Sequence, residues 1–271
     1  MYTSIMDDLS NREHSLFTST ISGDVSGEPT ILGQNLTKVA TSHSLAWIAG
    51  SLWLGHPLKS KKTEAIIDQA FRLLVDHGPY VSGAVNTMIA ARAGKDLVSS
   101  LVSGLLTIGP RFGGAVNGAA KIWFGAVGAD PRVRPSDLVE DFARRREYIS
   151  GIGHKKYRID SPDPRVPILL KLIGSIPHPH LDFARAVEAI TTGKKPNLIL
   201  NVDGALAAIL LDLLIHEEKL EADEIKTLID GEFFNAIFVL SRSVGFIGHY
   251  LDQKRLGESL FRLPDNQVLT K

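Results

Sequence analysis

Three short stretches of this sequence combine residue types that move protons or hold anions. The first is Val75-Asp76-His77-Gly78-Pro79. A histidine on a Gly-Pro turn sits where backbone can approach a ligand. A histidine at a helix end is equally a partner for the helix dipole. The second is Gly151-Ile152-Gly153-His154-Lys155-Lys156-Tyr157-Arg158. From Arg144 to Arg158 there are six Lys or Arg residues and one acid, Glu147, in a chain whose 30 Lys plus Arg balance 30 Asp plus Glu. Glycine N–H groups beside Lys and Arg suit a phosphate, although the loop has neither a Walker pattern nor a full dinucleotide fingerprint, and a solvated charged face reads the same way. The third is Lys194-Lys195-Pro196-Asn197-Leu198-Ile199-Leu200-Asn201-Val202-Asp203-Gly204. Apolar runs on both sides draw Asp203 inward, where a carboxyl is either paired or raised in pKa. A raised carboxyl is what a general acid needs; an Asp at that place could instead cap the following helix.

Other candidates carry less. His178-Pro179-His180 offers two imidazoles and no further ligands, so a surface turn is expected. Phe233, Phe234 and Phe238 read as a core stripe. The glycines of Gly109-Pro110-Arg111-Phe112-Gly113-Gly114 mark a backbone loop. Asn35-Leu36-Thr37 has the form of a glycosylation sequon, but no secretion signal accompanies it.

The elements that must position these residues are helical. Ile67, Ala70, Phe71 and Leu74 fall at i, i+3, i+4 and i+7, one face of a helix that ends just before His77. Leu97–Ile108 reads as a buried helix. Ser136 is the expected N-cap of a helix through Arg146. Ala184–Ile190, Gly204–Leu214, Glu224–Ile229 and Phe234–Leu251 continue the pattern. Residues 14–35, rich in Ser, Thr and Gly, suggest a short hairpin or extended arm. Turn residues cluster at Gly109–Gly118, Gly125–Pro135, Gly151–Pro167, Pro177–His180 and Gly193–Pro196. Their concentration in the middle third points to a smaller, loop-rich lobe set into a larger helical one.

Bulk properties bound the function. The 271 residues suffice for one large or two smaller domains. A pI near 7.1 gives no field favouring nucleic acid or an anionic membrane. The absence of cysteine excludes disulfides, thiolate metal sites and a Cys nucleophile. Met1–Glu13 carries Asp7, Asp8 and Glu13 and no apolar run, so no signal peptide is expected there, and a cytoplasmic protein is. Ala205–Ile215, interrupted by Asp212, falls short of the ~20 residues that span a bilayer.

Taken together, Asp76–Pro79, the run Ala91-Arg92-Ala93-Gly94-Lys95-Asp96-Leu97-Val98-Ser99-Ser100, Gly109–Gly114, Gly151–His154, Lys194–Gly204 and Phe246-Ile247-Gly248-His249-Tyr250-Leu251-Asp252-Gln253-Lys254-Arg255 resemble one family in the same order. It is the citryl-CoA lyase module, the citrate-synthase-like C-terminal part of ATP-citrate lyase. The likeness covers roughly residues 65–265. It implies an all-α, citrate-synthase-like fold: a large helical domain (1–108 and 204–271) with a smaller, CoA-binding helical domain (109–203) inserted, closing over its ligands. It implies cleavage of citryl-CoA to acetyl-CoA and oxaloacetate, with coenzyme A as part of substrate and product and no permanently bound cofactor or metal. It also implies a homo-oligomer whose sites a neighbouring copy completes.

Residue by residue, the resemblance implies a catalytic trio of His77, His154 and Asp203. It implies carboxylate-binding arginines at Arg165, Arg242 and Arg262. It places CoA contacts on Gly151, Ile152, Gly153, Lys155, Lys156 and Arg158, and on Lys194 and Lys195. Citrate synthases carry a histidine in the Gly-Pro-x-His-Gly-Gly loop; here Phe112 stands in its place, which counts against synthase activity. Lys155 stands where the lyase branch often has Arg, keeping the charge but losing the bidentate fork. The likeness does not extend to the ATP-grasp and CoA-ligase parts of ATP-citrate lyase, so no consumption of ATP by this stretch is expected.

Overall fold

The computed structural model describes residues 18–110 and 112–270. The Met1–Glu13 stretch, the first residues of the expected arm and Arg111 lie outside them. The described residues form twelve α-helices and one three-stranded antiparallel sheet. No described helix is long and apolar enough to cross a membrane. The chain divides into two compact units, Met1–Leu58 and Lys59–Lys271, so the expected boundaries at 108/109 and 203/204 both fall inside the second.

The first unit begins with the expected hairpin. Strands β1 (Ser22–Val25) and β2 (Glu28–Ile31) pair with Val25 opposite Glu28, leaving a two-residue loop of Ser26 and Gly27. Both loop residues have positive φ, 56° and 83°, the tight-turn geometry whose twist matches that of the strands. Strand β3 (Gln34–Asn35) adds to β2. Asn35 then caps α1 (Leu36–Ser42), its side chain accepting from Lys38 N–H, so the sequon asparagine has a local structural use. Ser44 caps α2 (Leu45–Leu54), and buried Trp47 donates its indole N–H to Leu58 O at 3.0 Å.

The second unit is built on α10 (Val202–His216), which is apolar all round and buried along nearly its whole length. Each of its leucines and isoleucines contributes roughly 1.5–3 kcal/mol by leaving water. Asp212 is buried there too. Its carboxylate accepts from His180 and Leu181 N–H and from His180 Nδ1, capping the start of α9 (Pro179–Lys194). His178 in turn faces Asp182, so both histidines of the His-Pro-His turn have carboxylate partners. Around α10 pack α3 (Lys61–Leu74), α6 (Ala115–Gly128), α8 (Arg165–Ile173), α9 and α11 (Ala222–Asp230). The long α12 (Phe233–Leu256) packs on α3, α6 and the pair α4 (Ser82–Arg92) and α5 (Leu97–Leu105). Helix α7 (Pro135–Arg145) lies against α9.

Three local expectations need correcting. Helix α5 stops at Leu105, and only one of its faces is buried, through Ser100 and Gly104. Val98, Val102 and Leu106, one turn apart, are exposed, Leu106 by 80%; apolar composition alone does not tell a core helix from one with an outward apolar face. Helix α7 starts one residue before Ser136, with Pro135 at its first position. Proline needs no N–H partner there and its fixed φ suits the helix. In α3, Ile66 is fully buried and Phe71 is not, so the inward face is rotated toward Thr63, Ile66, Ile67, Ala70 and Leu74.

Candidate active site

Six segments of the second unit meet at one cavity of about 150 Å³. Its walls carry His77, after α3; Phe112 and Gly113, before α6; His154, in the loop before α8; Arg165, the first residue of α8; Asn201, Val202 and Asp203, at the start of α10; and Phe238 and Arg242, on α12. A larger space of about 620 Å³ adjoins it, sharing His77 and His154 and adding Tyr80, Val81, Lys155, Lys156 and Tyr157. The two histidine rings stand 6.0 Å apart and nearly perpendicular at the boundary.

Backbone contacts bring the histidine loop onto α10. Gly151 has φ +86°, and a Cβ there would lie 2.5 Å from Gly204 Cα; a Cβ on Gly204 would meet Gly151 O at 2.4 Å. Only two glycines permit this approach. Gly153 N–H and His154 N–H donate to Ile199 O and Asn197 O, and Asn201 N–H donates to Gly151 O. Asn201 is the N-cap of α10, its Oδ1 accepting from Asp203 and Gly204 N–H. Asp203 is therefore the second residue of the helix, and the cap lies two residues before it. Trp123 of α6 ties down the same turn, donating to Gly204 O at 3.2 Å.

The side chains have distinct electrostatic states. Asp203 borders the cavity, but its carboxyl is packed deep among protein atoms. Burial raises its pKa above the ordinary carboxylate value, against the opposing pull of Arg165 and Arg242. The carboxyl accepts no hydrogen bond from the described residues. His154 Nδ1 accepts from Lys156 N–H at 3.0 Å and Tyr157 N–H at 3.1 Å. A nitrogen that accepts carries no proton, so in neutral His154 the proton is on Nε2. Burial lowers its pKa, with Arg165 and Lys156 adding to the effect and Asp163 opposing it. Burial also lowers that of His77, helped by Arg165, Arg242 and His154. No described residue hydrogen-bonds the His77 ring, which leaves its lone pair available.

The arginines differ. Arg242 is only 2% exposed, and its Nε and Nη1 are buried without a partner. Its guanidinium lies 4.8 Å from the Phe238 ring centroid. Burial pulls its pKa down to about 10. Arg165 is already engaged. Its Nε and Nη2 donate to Asp163 at 2.9 and 2.7 Å, a bidentate pair that keeps Asp163 ionised despite burial. The two Nη1 hydrogens and the second Nη2 hydrogen of Arg165 remain for a ligand. The exposed Arg262 follows α12 and does not reach the cavity of its own chain.

Of the expected CoA contacts, Lys155 and Lys156 line the larger space, whereas Arg158, Lys194 and Lys195 are exposed outside it. Asp163 is missing from the expected site residues, although its signal is an acid two residues before an arginine at a helix start, Asp163-Pro164-Arg165. Phe238, expected only as core, doubles as the wall behind Arg242, and Gly113 packs against its ring. Elsewhere, a groove of about 490 Å³ between α6 and α7 is larger than the histidine cavity. Its charged groups are satisfied: Arg144 and Arg145 pair with Asp141, and Asp137 with Arg134. It offers no histidine and no free buried donor. Among the described residues, no group of three or more His, Asp or Glu could hold a metal ion.

The citrate synthase C-terminal domain family matches residues 30–263, and the chain belongs to that family. ATP-citrate synthase of Bos taurus is 44% identical over 260 residues, which cover 95% of this chain and 24% of the bovine protein. The chain thus spans about a quarter of that relative. ATP citrate lyase from Methanothrix soehngenii, solved in complex with citrate and coenzyme A, superposes with a TM-score of 0.91 at 38% identity, over 100% of this chain and 44% of that one. Citryl-CoA lyase from Hydrogenobacter thermophilus shares the fold, with a TM-score of 0.78 at 22% identity, covering 95% and 94% of the two chains.

Proposed function

We propose that this chain cleaves citryl-CoA to acetyl-CoA and oxaloacetate. The observation that carries it is Arg242: a buried cation with two unpartnered donors, facing a small cavity beside a carboxyl whose pKa burial raises. Such a site suits a substrate that brings its own carboxylate and then needs a proton on carbon. Similarity to ATP-citrate synthases and to a lyase solved with citrate and coenzyme A supports the same substrate class.

The steps follow from the protonation states. A substrate carboxylate takes the free donors of Arg242 and Arg165 Nη1. The tertiary hydroxyl oxygen receives a hydrogen bond from His154 Nε2–H, which, carrying a proton already, cannot act as the base. His77 accepts the hydroxyl proton on its free lone pair. The oxygen becomes the carbonyl of oxaloacetate as the carbon–carbon bond breaks, and the bonding pair moves into the enolate of the acetyl thioester. Asp203 transfers its proton to the enolate carbon, giving acetyl-CoA. The proton on His77 returns to Asp203 through solvent. Residues 109–203 act as the CoA-binding lobe.

The test is acetyl-CoA release from citryl-CoA by the purified chain without ATP or metal. Absence of release from folded protein would refute the reading. A parallel reaction of acetyl-CoA with oxaloacetate separates lyase from citrate synthase, for which Phe112 is the unfavourable residue. A second reading, in which it is the citryl-CoA-cleaving subunit of a multi-chain ATP-citrate lyase, is supported by 44% identity to the bovine ATP-citrate synthase over 95% of this chain.

Two further outcomes are expected. Replacing Lys155 and Lys156 by glutamine should raise KM for the CoA substrate roughly tenfold or more, about 1.4 kcal/mol, with a smaller change in turnover, because contacts with the phosphates act on ground and transition states alike. An unchanged KM would make both lysines a solvated face. Self-association is also expected, with the exposed Arg262 entering a neighbouring copy's site. Sedimentation showing an active monomer at micromolar concentration would contradict it.

A further inference from the structure

We propose that His249, acting through Asp76, is a positioning residue for His77, an inference that rests on the lyase reading above. The His77 ring has no hydrogen bond of its own to any described residue, so its direction depends on the backbone beneath it and on packing such as its edge contact with the His154 ring. That backbone hangs on Asp76. One carboxylate oxygen accepts from Gly78 N–H at 3.1 Å, and His77 N–H points to the same carboxylate. The other oxygen receives the Nε2–H of His249 at 3.0 Å. Desolvation works against the Asp76 anion, but these three donors outweigh it and hold its pKa below the ordinary value.

Helix α12 is built to deliver this contact. A Cβ at Gly245 would lie 2.0 Å from Val75 O, so the helix backbone touches the chain one residue before Asp76. His249 lies one turn beyond Gly245, and Arg242 one turn before it, on the same helical face. One face of α12 therefore lines the cavity through Arg242 and clamps the His77 turn through His249. The side chain of His249 is largely buried, at 17% exposure. Rotation of His77 away from the hydroxyl would leave the ligand bound but poorly aligned, a loss that falls on turnover.

The test uses His249→Phe, which keeps the ring but removes the donor, and His249→Gln, which restores an N–H. On citryl-CoA, His249→Phe should lower kcat about 10- to 100-fold while KM changes far less, and His249→Gln should recover most of the loss. In a His77→Ala background the Phe substitution should have almost no further effect, because both act through one group. A kcat within about twofold of wild type, or the full loss repeated in the His77→Ala background, would overturn the proposal. A readout independent of turnover is the His77 ring proton resonance, assigned by its loss in His77→Ala. It should move or broaden in His249→Phe and return in His249→Gln. If the wild-type chain fails to cleave citryl-CoA but the resonance responds, the lyase reading falls and the positioning role stands. A resonance that does not move overturns the positioning role.

Discussion

Asp203→Asn should lose on the order of 10²–10⁴ in turnover, about 3–5 kcal/mol at ~1.4 kcal/mol per tenfold, with little change in KM. Asparagine keeps the size and polarity of the side chain but has no proton to give the enolate carbon. The helix start is unaffected, because Asn201, not Asp203, caps α10. Stability should move the other way. Burial raises the folded pKa of Asp203 above its ordinary 3.8. Below pH 3.8 both folded and unfolded chains hold the proton. Above it the unfolded chain releases the proton first, so this residue makes the fold progressively less stable as pH rises toward its folded pKa. Asparagine removes that dependence. The thermal midpoint of Asp203→Asn should therefore equal or exceed that of wild type near neutral pH, and the gap should shrink as pH falls toward 4. Wild-type turnover should itself decline as pH rises through the folded pKa, where the acid is lost. Near-normal turnover of the variant at saturating citryl-CoA would make Asp203 structural.

Much of this arrangement is legible in the chain because it is local. A glycine pair just before His154 and a Gly after Asp203 mark places where backbone must come close, and Gly151 and Gly204 do meet. The apolar runs around Asp203 announce burial, and α10 is buried along nearly its whole length. What escapes is relational. The pairing of Arg165 with Asp163 depends on both side chains being buried together, so an arginine expected to bind substrate arrives with two of its donors engaged. The His249–Asp76 contact joins residues 173 apart, and nothing in either local sequence names the other. Basic residues look alike in one dimension, yet the fold lines the larger space with Lys155 and Lys156 and leaves Arg158, Lys194 and Lys195 outside it. Apolar helices are equally ambiguous: α10 and α5 read as the same kind of buried element, and α5 turns Val98, Val102 and Leu106 to the surface.

Arg242→Met should separate stability from activity more sharply still. Arg242 is a charge held in the interior with two donors that no described residue satisfies. The fall of its pKa from the ordinary guanidinium value to about 10 corresponds to about 3 kcal/mol against the charged form in the folded state, at ~1.4 kcal/mol per tenfold in acidity. Being a depressed base, it weighs on the fold at every pH below 10, and the burden lifts only as pH rises past that value. Methionine has similar length and no charge. It forfeits the contact with the Phe238 ring, worth about 0.5–2 kcal/mol, which is smaller than the charge penalty. The net expectation is a gain of about 1–2 kcal/mol, or roughly 2–8 °C in thermal midpoint for a chain of this size. Catalysis should collapse. A substrate carboxylate entering the cavity would meet no partner, and breaking a buried charge pair on one side costs about 3–5 kcal/mol, on the order of 10²–10⁴ in kcat/KM. Citrate supplies the control: by binding the folded state it should raise the midpoint of wild type and leave that of Arg242→Met nearly unmoved. A variant that is less stable than wild type, or that keeps its citrate response and its activity, would show that Arg242 serves the core rather than the carboxylate.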